Sequence, residues 1–287
     1  MKKKNEKRLA LIAKKNETLR QLVRNPSELY DFLKLQTRFD RYSISNALLI
    51  YAQNSRAVKL KTFDDWNAQN ISIKRGAKSI DILEPIQYTR KDGTTGTAYN
   101  VKKLFDVSQT TCTEKTGENG KYDSDPNEIT AITAALLDSS GLSFKVINES
   151  TPPEIINEAQ KRTVYYSNSD KCLYLNRGTG QPALVCQATA QALAYAELCK
   201  QKCANDFIAS CIAVMLCTKF NVESNTLFKH IFILPDKDNV SEDDTDKMQS
   251  DLLKIKKAYR AIYTQVEPHI KRQESKINKE KTVVKEL

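Results

Sequence analysis

The sequence predicts an α+β protein made of two units and a helical tail. Three observations carry that prediction. Apolar residues recur at helical spacing through 25–54 and again through 127–219. Between 80 and 107, two β-type runs flank a Lys-Asp-Gly turn. A polar, turn-rich stretch over 108–127, SQTTCTEKTGENGKYDSDPN, has little to bury and separates the two regions. The expected organisation is a basic helix over 1–24, a first domain over 25–112, a linker over 113–127, a second domain over 128–235, and an acidic linker with a helical tail over 236–287.

The elements follow in order. The leader MKKKNEKRLALIAKKNETL is basic at its front like a signal peptide, but its apolar run LALIA is too short, so it reads as a basic amphipathic helix. Asn25 suits a cap, Pro26 the first helical position, and Leu29, Phe32 and Leu33 continue that helix. SISNALLIYAQN gives a second helix, with Ile44, Leu48 and Tyr51 on one side. A short helix TFDDWNAQ and a basic turn KRGAK precede the hairpin. Beyond the linker come a helix (NEITAITAALLDSSG), a strand (SFKVIN), and two short strands around an Asn-Ser-Asp turn within 161–176. Helices at about 181–202 and 204–219 complete the second unit. PDKDNVSEDDTDK reads as an acidic linker, and the last forty residues as a charged helix broken at Pro268.

With 40% apolar and 28% charged residues the composition is that of a soluble globular protein. There is no run of about 18 apolar residues, which excludes a membrane-spanning helix. The seven cysteines lack C-x-x-C spacing, and five fall within 186–217, where free thiols behave as small buried hydrophobes. A reduced, cytoplasmic chain is expected. The net charge of +10 is unevenly spread: residues 1–105 hold 22 Lys/Arg against 10 Asp/Glu, and the remainder 23 against 25. All the excess positive charge lies in the first third, which fits either a polyanion-binding face or a solubilising surface.

Two stretches go beyond generic patterning. YSISNALLIYAQNSRAVKLKTFDDWNAQNISIKRGAKSIDILEPI (42–86) and YNVKKLFDVSQT (99–110) resemble the N-terminal domain of the ArdC/LtrC-like antirestriction proteins. The matching residues are Tyr42, Asn46, Leu48, Leu49, Ile50, Gln53, Trp66, Lys74, Arg75, Gly76, Lys78, Pro85 and Phe105 to Thr110. The resemblance implies an α+β domain that binds single-stranded DNA. Lys59, Lys61, Lys74, Arg75 and Lys78 then track phosphates, and Tyr42 and Trp66 offer ring faces to unpaired bases. Trp66 serves equally well as a core aromatic, and Asn46 and Gln53 either contact DNA or brace the fold by bonding to backbone.

In this family the second domain is commonly a zincin-like metallopeptidase. VYYSNSDKCLYLNRG resembles its hairpin, LVCQATAQALAYAE falls where the H-E-x-x-H helix belongs, and DFIASCIAVMLCTKFNVES resembles the helix of the third ligand. Carried over by that resemblance, Gln187 and Gln191 occupy the two His positions, Ala188 the general base and Ser210 the third ligand. Neutral amides and a hydroxyl are poor zinc ligands, and alanine accepts no proton. The implied domain is a degenerate zincin: no catalytic residue, no metal and no cofactor. Two alternatives stay open, that Gln187 and Gln191 belong to an unrelated helix, or that Cys186 or Cys211 supplies a replacement ligand.

The function expected is a non-catalytic single-stranded-DNA-binding protein, an antirestriction or DNA-transfer accessory factor of a mobile genetic element. Its partners would be single-stranded DNA and a host defence or DNA-processing protein, with no membrane; oligomeric state is not encoded legibly. The alternative is a protein-interaction scaffold in which the pseudo-metallopeptidase domain binds a protein partner and DNA binding is weak; the C-terminal helix with Leu252, Leu253, Ile255, Tyr259, Ile262, Tyr263 and Val266 then docks on a partner or packs on its own domain. A working peptidase is the third class. No P-loop, nucleophile elbow or dinucleotide fingerprint is present, and RGTGQP (177–182) has the wrong spacing for phosphate binding.

Overall fold

The structure, a computed structural model, describes residues 2–90, 92–112, 125–159, 161–176, 180–228 and 239–285. It divides into two compact units, Met1–Glu118 with Leu234–Ser250 and Asn119–Ile233 with Asp251–Leu287. Most of the expected linker at 113–127 lies outside the described residues. So do 177–179 of the RGTGQP loop and the expected domain end near 235.

The first unit begins with α1 (Lys2–Arg24), α2 (Pro26–Arg38) and α3 (Ile44–Gln53). Asn25 caps α2 by accepting from the Ser27 N–H, with Pro26 in the first turn where its missing donor costs nothing. Ser43 caps α3 in the same way, through the Asn46 N–H. Ala47, Leu48, Leu49 and Ile50 are all buried, so α3 is the central helix of this core rather than a surface helix with one apolar stripe. Then come β1 (Leu60–Lys61), α4 (Phe63–Asn67), β2 (Ile80–Thr89) and β3 (Thr95–Asp106), the last running into a 3-10 turn at Val107–Gln109. The strands form an antiparallel sheet in the order β1-β3-β2. β2 is therefore an edge strand, and its exposed backbone needs protection.

Asn46 and Gln53 supply that protection. Asn46 donates to the Leu83 carbonyl at 2.9 Å and accepts from the Leu83 N–H at 3.0 Å. Gln53 makes the same reciprocal pair with Asp81, at 2.9 and 3.0 Å. Two amides two turns apart on α3 thus replace the strand that would otherwise sit beside β2. Two residues further along the same edge is Pro85, which has no N–H to leave unpaired.

The second unit contains α5 (Pro126–Ser140), β4 (Ser143–Val146), α6 (Pro153–Ala159), β5 (Val164–Ser167), β6 (Cys172–Leu175), α7 (Pro182–Lys200), α8 (Asp206–Lys219) and the short α9 (Asn225–Phe228). Its sheet has the order β4-β6-β5, with β4 parallel and β5 antiparallel to β6. α8 is buried on almost every face from Ile208 to Cys217.

α10 (Glu242–Lys285) corrects two expectations. The acidic stretch is not a linker from 241 onward, because Ser241 and Asp244 form a reciprocal capping box. Glu242, Asp243 and Asp244 then sit in the first turn, where the helix dipole favours negative charge. Nor does Pro268 break the helix, which runs through it. A proline removes one backbone bond, and the remaining ladder on either side holds the helix together. Leu252, Ile255, Tyr259, Ile262 and Val266 are buried, while Leu253 stays 55% exposed. Tyr263 packs against Phe220 and under the Lys219 ammonium, so this face is covered within its own unit. No helix among the described residues is long and apolar enough to cross a membrane.

Candidate nucleic-acid interface and a buried amide site

The basic turn is built on the end of β3. Asp106 is buried, and its carboxylate accepts from the Val58 and Lys59 N–H groups at 2.7 and 3.0 Å and from the Ser108 N–H at 3.0 Å. The Ser108 hydroxyl donates to the same carboxylate at 2.5 Å. One side chain therefore ties the segment entering β1 to the 3-10 turn leaving β3. Gln109 extends the knot: its Oε1 accepts from the Asp106 N–H, and its Nε2 donates to the Lys78 carbonyl at 2.7 Å. The Lys74 N–H donates to the Gln109 carbonyl, and its ammonium to the Ser108 carbonyl at 2.9 Å.

Held at both ends, residues 74–77 close a turn through the Ala77 N–H and the Lys74 carbonyl. Gly76 takes the third position with φ +82°, a conformation in which other residues are strained, although the space around it is open. Lys74, Arg75 and Lys78 are all exposed. Lys59 is exposed beside the Asp106 knot, and Lys61 pairs in register with Phe105. Five of the expected phosphate-binding residues are thus gathered around one end of one strand. Asp106 and Gln109, which hold them there, lie inside the F-D-V-S-Q-T match; their role was invisible without the backbone they bond.

The remaining expected contacts divide differently. Trp66 is fully buried, its indole N–H donating to the Phe105 carbonyl at 2.9 Å, so it is the core aromatic and has no ring face free for a base. The Lys61 ammonium stands over its ring at 4.9 Å. Asn46 and Gln53 are committed to the β2 edge, the bracing role. Tyr42 is half-buried, edge-on to Phe39 at 5.9 Å. Burial pushes its phenol pKa up, and the neighbouring Lys102 charge partly offsets that.

In the second unit, two of the four positions compared with a zincin site, Gln191 and Ser210, meet, while Gln187 bonds elsewhere. The Gln191 amide donates to the Ser210 hydroxyl at 2.7 Å, across α7 and α8. Ser210 in turn donates to the Asp206 carbonyl at 2.8 Å. Gln187 donates to the Glu223 carbonyl at 2.5 Å and accepts from the Thr226 hydroxyl at 2.7 Å. Ala188, between the two glutamines, adds only a methyl group. Zinc or manganese does not fit this set, whose neutral groups are already engaged in hydrogen bonds and carry no charge to match a dication. The adjacent thiols fit no better. Burial and the nearby Asp251 charge hold Cys211 protonated. The Cys186 and Cys217 thiols share a hydrogen bond that, together with burial, raises the Cys217 pKa, and that lowers the pKa of Cys186, so the pair is engaged internally. Among the described residues no group of three or more His, Cys, Asp and Glu side chains is arranged to hold a metal ion.

Residues 6–125 match the family described as the N-terminal domain of anti-restriction factor ArdC. Two crystal structures of the antirestriction ArdC protein from the R388 plasmid share the fold. The metal-free form aligns with 78% of this chain and 84% of its own, at 11% identity and a TM-score of 0.51. The Mn(II)-bound form aligns with 83% of this chain and 98% of its own, at 12% identity and a TM-score of 0.50. No curated protein matches the sequence. Residues 6–125 are thus similar in sequence to the ArdC N-terminal domain, and the fold of the ArdC protein is shared over most of the chain.

Proposed function

We propose that this chain is a non-catalytic single-stranded-DNA-binding protein of ArdC type, an antirestriction or DNA-transfer accessory factor of a mobile genetic element. The observation that carries the proposal is the basic turn: Lys74, Arg75 and Lys78 are exposed on a loop fastened by Gln109 and by the Lys74 ammonium on the Ser108 carbonyl, in a region with 22 basic against 10 acidic residues. Such a cluster binds phosphates by releasing counterions, with little sequence readout. A host defence or DNA-processing protein is the second partner class. The absence of catalysis rests on chemistry. A metallopeptidase needs charged or imidazole ligands and a proton acceptor, and Gln187, Gln191, Ser210 and Ala188 offer neither.

The test is fluorescence anisotropy with single- and double-stranded oligonucleotides of equal length, titrated across salt, on the wild type and a Lys74→Ala/Arg75→Ala/Lys78→Ala variant. Tighter single-strand binding is expected. Removing three phosphate contacts should make the log–log salt slope shallower by about 2, from roughly 0.7 per contact on single strands. A folded protein that binds no DNA at low salt, or a triple variant with an unchanged slope, would overturn the proposal.

A further inference from the structure

Beyond the edge covered by α3, the β2–β3 ribbon runs on without a third strand among the described residues. β1 pairs with β3 only at Phe105 and Asp106, and the α3 amides reach β2 only at Asp81 and Leu83. The register sorts its side chains onto two faces. Ile80 pairs with Leu104, Ile82 with Lys102, Ile86 with Ala98 and Tyr88 with Gly96, so even-numbered residues of both strands share one face. Tyr99, opposite Pro85, belongs to the other. On the even face the buried Ile80, Ile82 and Leu104 give way outward to exposed Ile86 and Tyr88. Lys102 is on this face too, paired with Glu84 at 2.7 Å, which neutralises the carboxylate, and its charge is felt by Tyr42.

Tyr88 has a seat. The hydroxyl end of its ring lies over Gly96: a Cβ there would stand 2.7 Å from Cζ and 2.9 Å from Cε1 and Oη. Gly96 is buried by that contact, yet Tyr88 itself remains 47% exposed. A ring supported from beneath by backbone and open above can receive a base of any identity, because every base has a π-face. The positive charge of the surrounding region, with Arg90 exposed at the end of β2, suits the accompanying phosphates.

We infer that Tyr88 is a base-stacking residue for single-stranded DNA and that Gly96 is its positioning residue. The inference rests on the DNA-binding proposal above. It moves the stacking role from Trp66, which is buried, to a tyrosine outside the family pattern recognised in the sequence.

The experiment uses the full chain and a labelled thymidine homopolymer. Tyr88→Ala should weaken binding by at least about fivefold, the low end for one stacked base, without changing the salt slope, since no phosphate contact is lost. Tyr88→Phe should bind as wild type does. Gly96→Ala should reproduce most of the Tyr88→Ala loss by displacing a ring it does not remove. Tyr99→Ala, on the opposite face and 48% exposed, should leave affinity unchanged. The inference is overturned if wild type binds and Tyr88→Ala binds equally, or if Tyr99→Ala weakens binding as much. It also fails if Tyr88→Ala lowers the melting temperature while each folded molecule keeps its affinity, the sign of a purely structural tyrosine. Wild-type protein that binds no single-stranded DNA would instead remove the DNA-binding proposal, and this inference with it.

Discussion

Replacing Asp106 by Asn tests whether one buried carboxylate fastens the first unit. The native side chain receives four hydrogen bonds: from the Val58, Lys59 and Ser108 N–H groups and from the Ser108 hydroxyl. An asparagine offers one oxygen and one NH2 group. With its oxygen toward Val58 and Lys59 it keeps two bonds, now neutral rather than charge-assisted and about half as strong. Its NH2 group then faces the Ser108 N–H, donor against donor. The Ser108 N–H is only part-buried, so orphaning it costs toward the low end of about 1–3 kcal/mol; weakening the other two bonds adds about 1 kcal/mol, and a loss of about 2 kcal/mol is expected. For a unit of this size that corresponds to a drop in Tm of roughly 7 °C. Trp66 makes the assay specific. It is the chain's only tryptophan, it is fully buried in this unit, and its indole bonds to the residue before Asp106. Its fluorescence therefore follows this unit through a thermal or urea transition. A transition within about 1 kcal/mol of wild type, at or below the floor of the orphaned-donor range, would refute the account.

Alkaline pH gives a second handle on the same unit. The Tyr51 hydroxyl donates to Glu28 at 2.5 Å, and burial together with that carboxylate pushes its pKa well above the ordinary tyrosine value. A folded-state pKa above the unfolded one contributes stability that is complete below about pH 10 and is lost as pH rises toward the folded value. The stability gap between wild type and Tyr51→Phe should therefore narrow as pH rises past about 10, read by Trp66-monitored urea titrations; a constant gap would refute it. In the second unit, dialysis of the full chain against Mn(II) or Zn(II) should leave no stoichiometric metal and no shift in its helical melting curve. Stoichiometric retention abolished by Cys186→Ser or Cys211→Ser would overturn the assignment of a metal-free site.

The elements with local punctuation were legible in the sequence. Asn25 with Pro26 marked one helix start, and the Lys-Asp-Gly turn marked the β2–β3 ribbon. What escaped were elements whose stability comes from tertiary contact. α6 is a seven-residue helix inside PPEIINEA, too short to show a period. The parallel pairing of β4 with β6 joins segments far apart in the chain, and no local pattern announces it. The acidic stretch before α10 looked like a linker because charge count was weighed above the Ser-x-x-Asp cap that starts the helix. At the basic turn, the residue types were legible but their fastening was not, because Asp106 and Gln109 act on backbone atoms more distant in sequence.

The amides were the hardest residues to read, for a reason that applies to both units. A carboxamide carries a donor and an acceptor side by side, the same pair a backbone residue presents at a strand edge. Asn46 and Gln53 therefore satisfy β2 at Leu83 and Asp81, and in sequence such residues look the same as ones that reach for a base edge. Gln187 and Gln191 use the same chemistry between helices, joining α7 to α8 and to the chain around α9 by neutral hydrogen bonds. A histidine and carboxylate set at these positions would bring buried charge that only a cation could balance. With amides and a hydroxyl the facing groups satisfy one another's hydrogen-bonding capacity and bring no charge to neutralise.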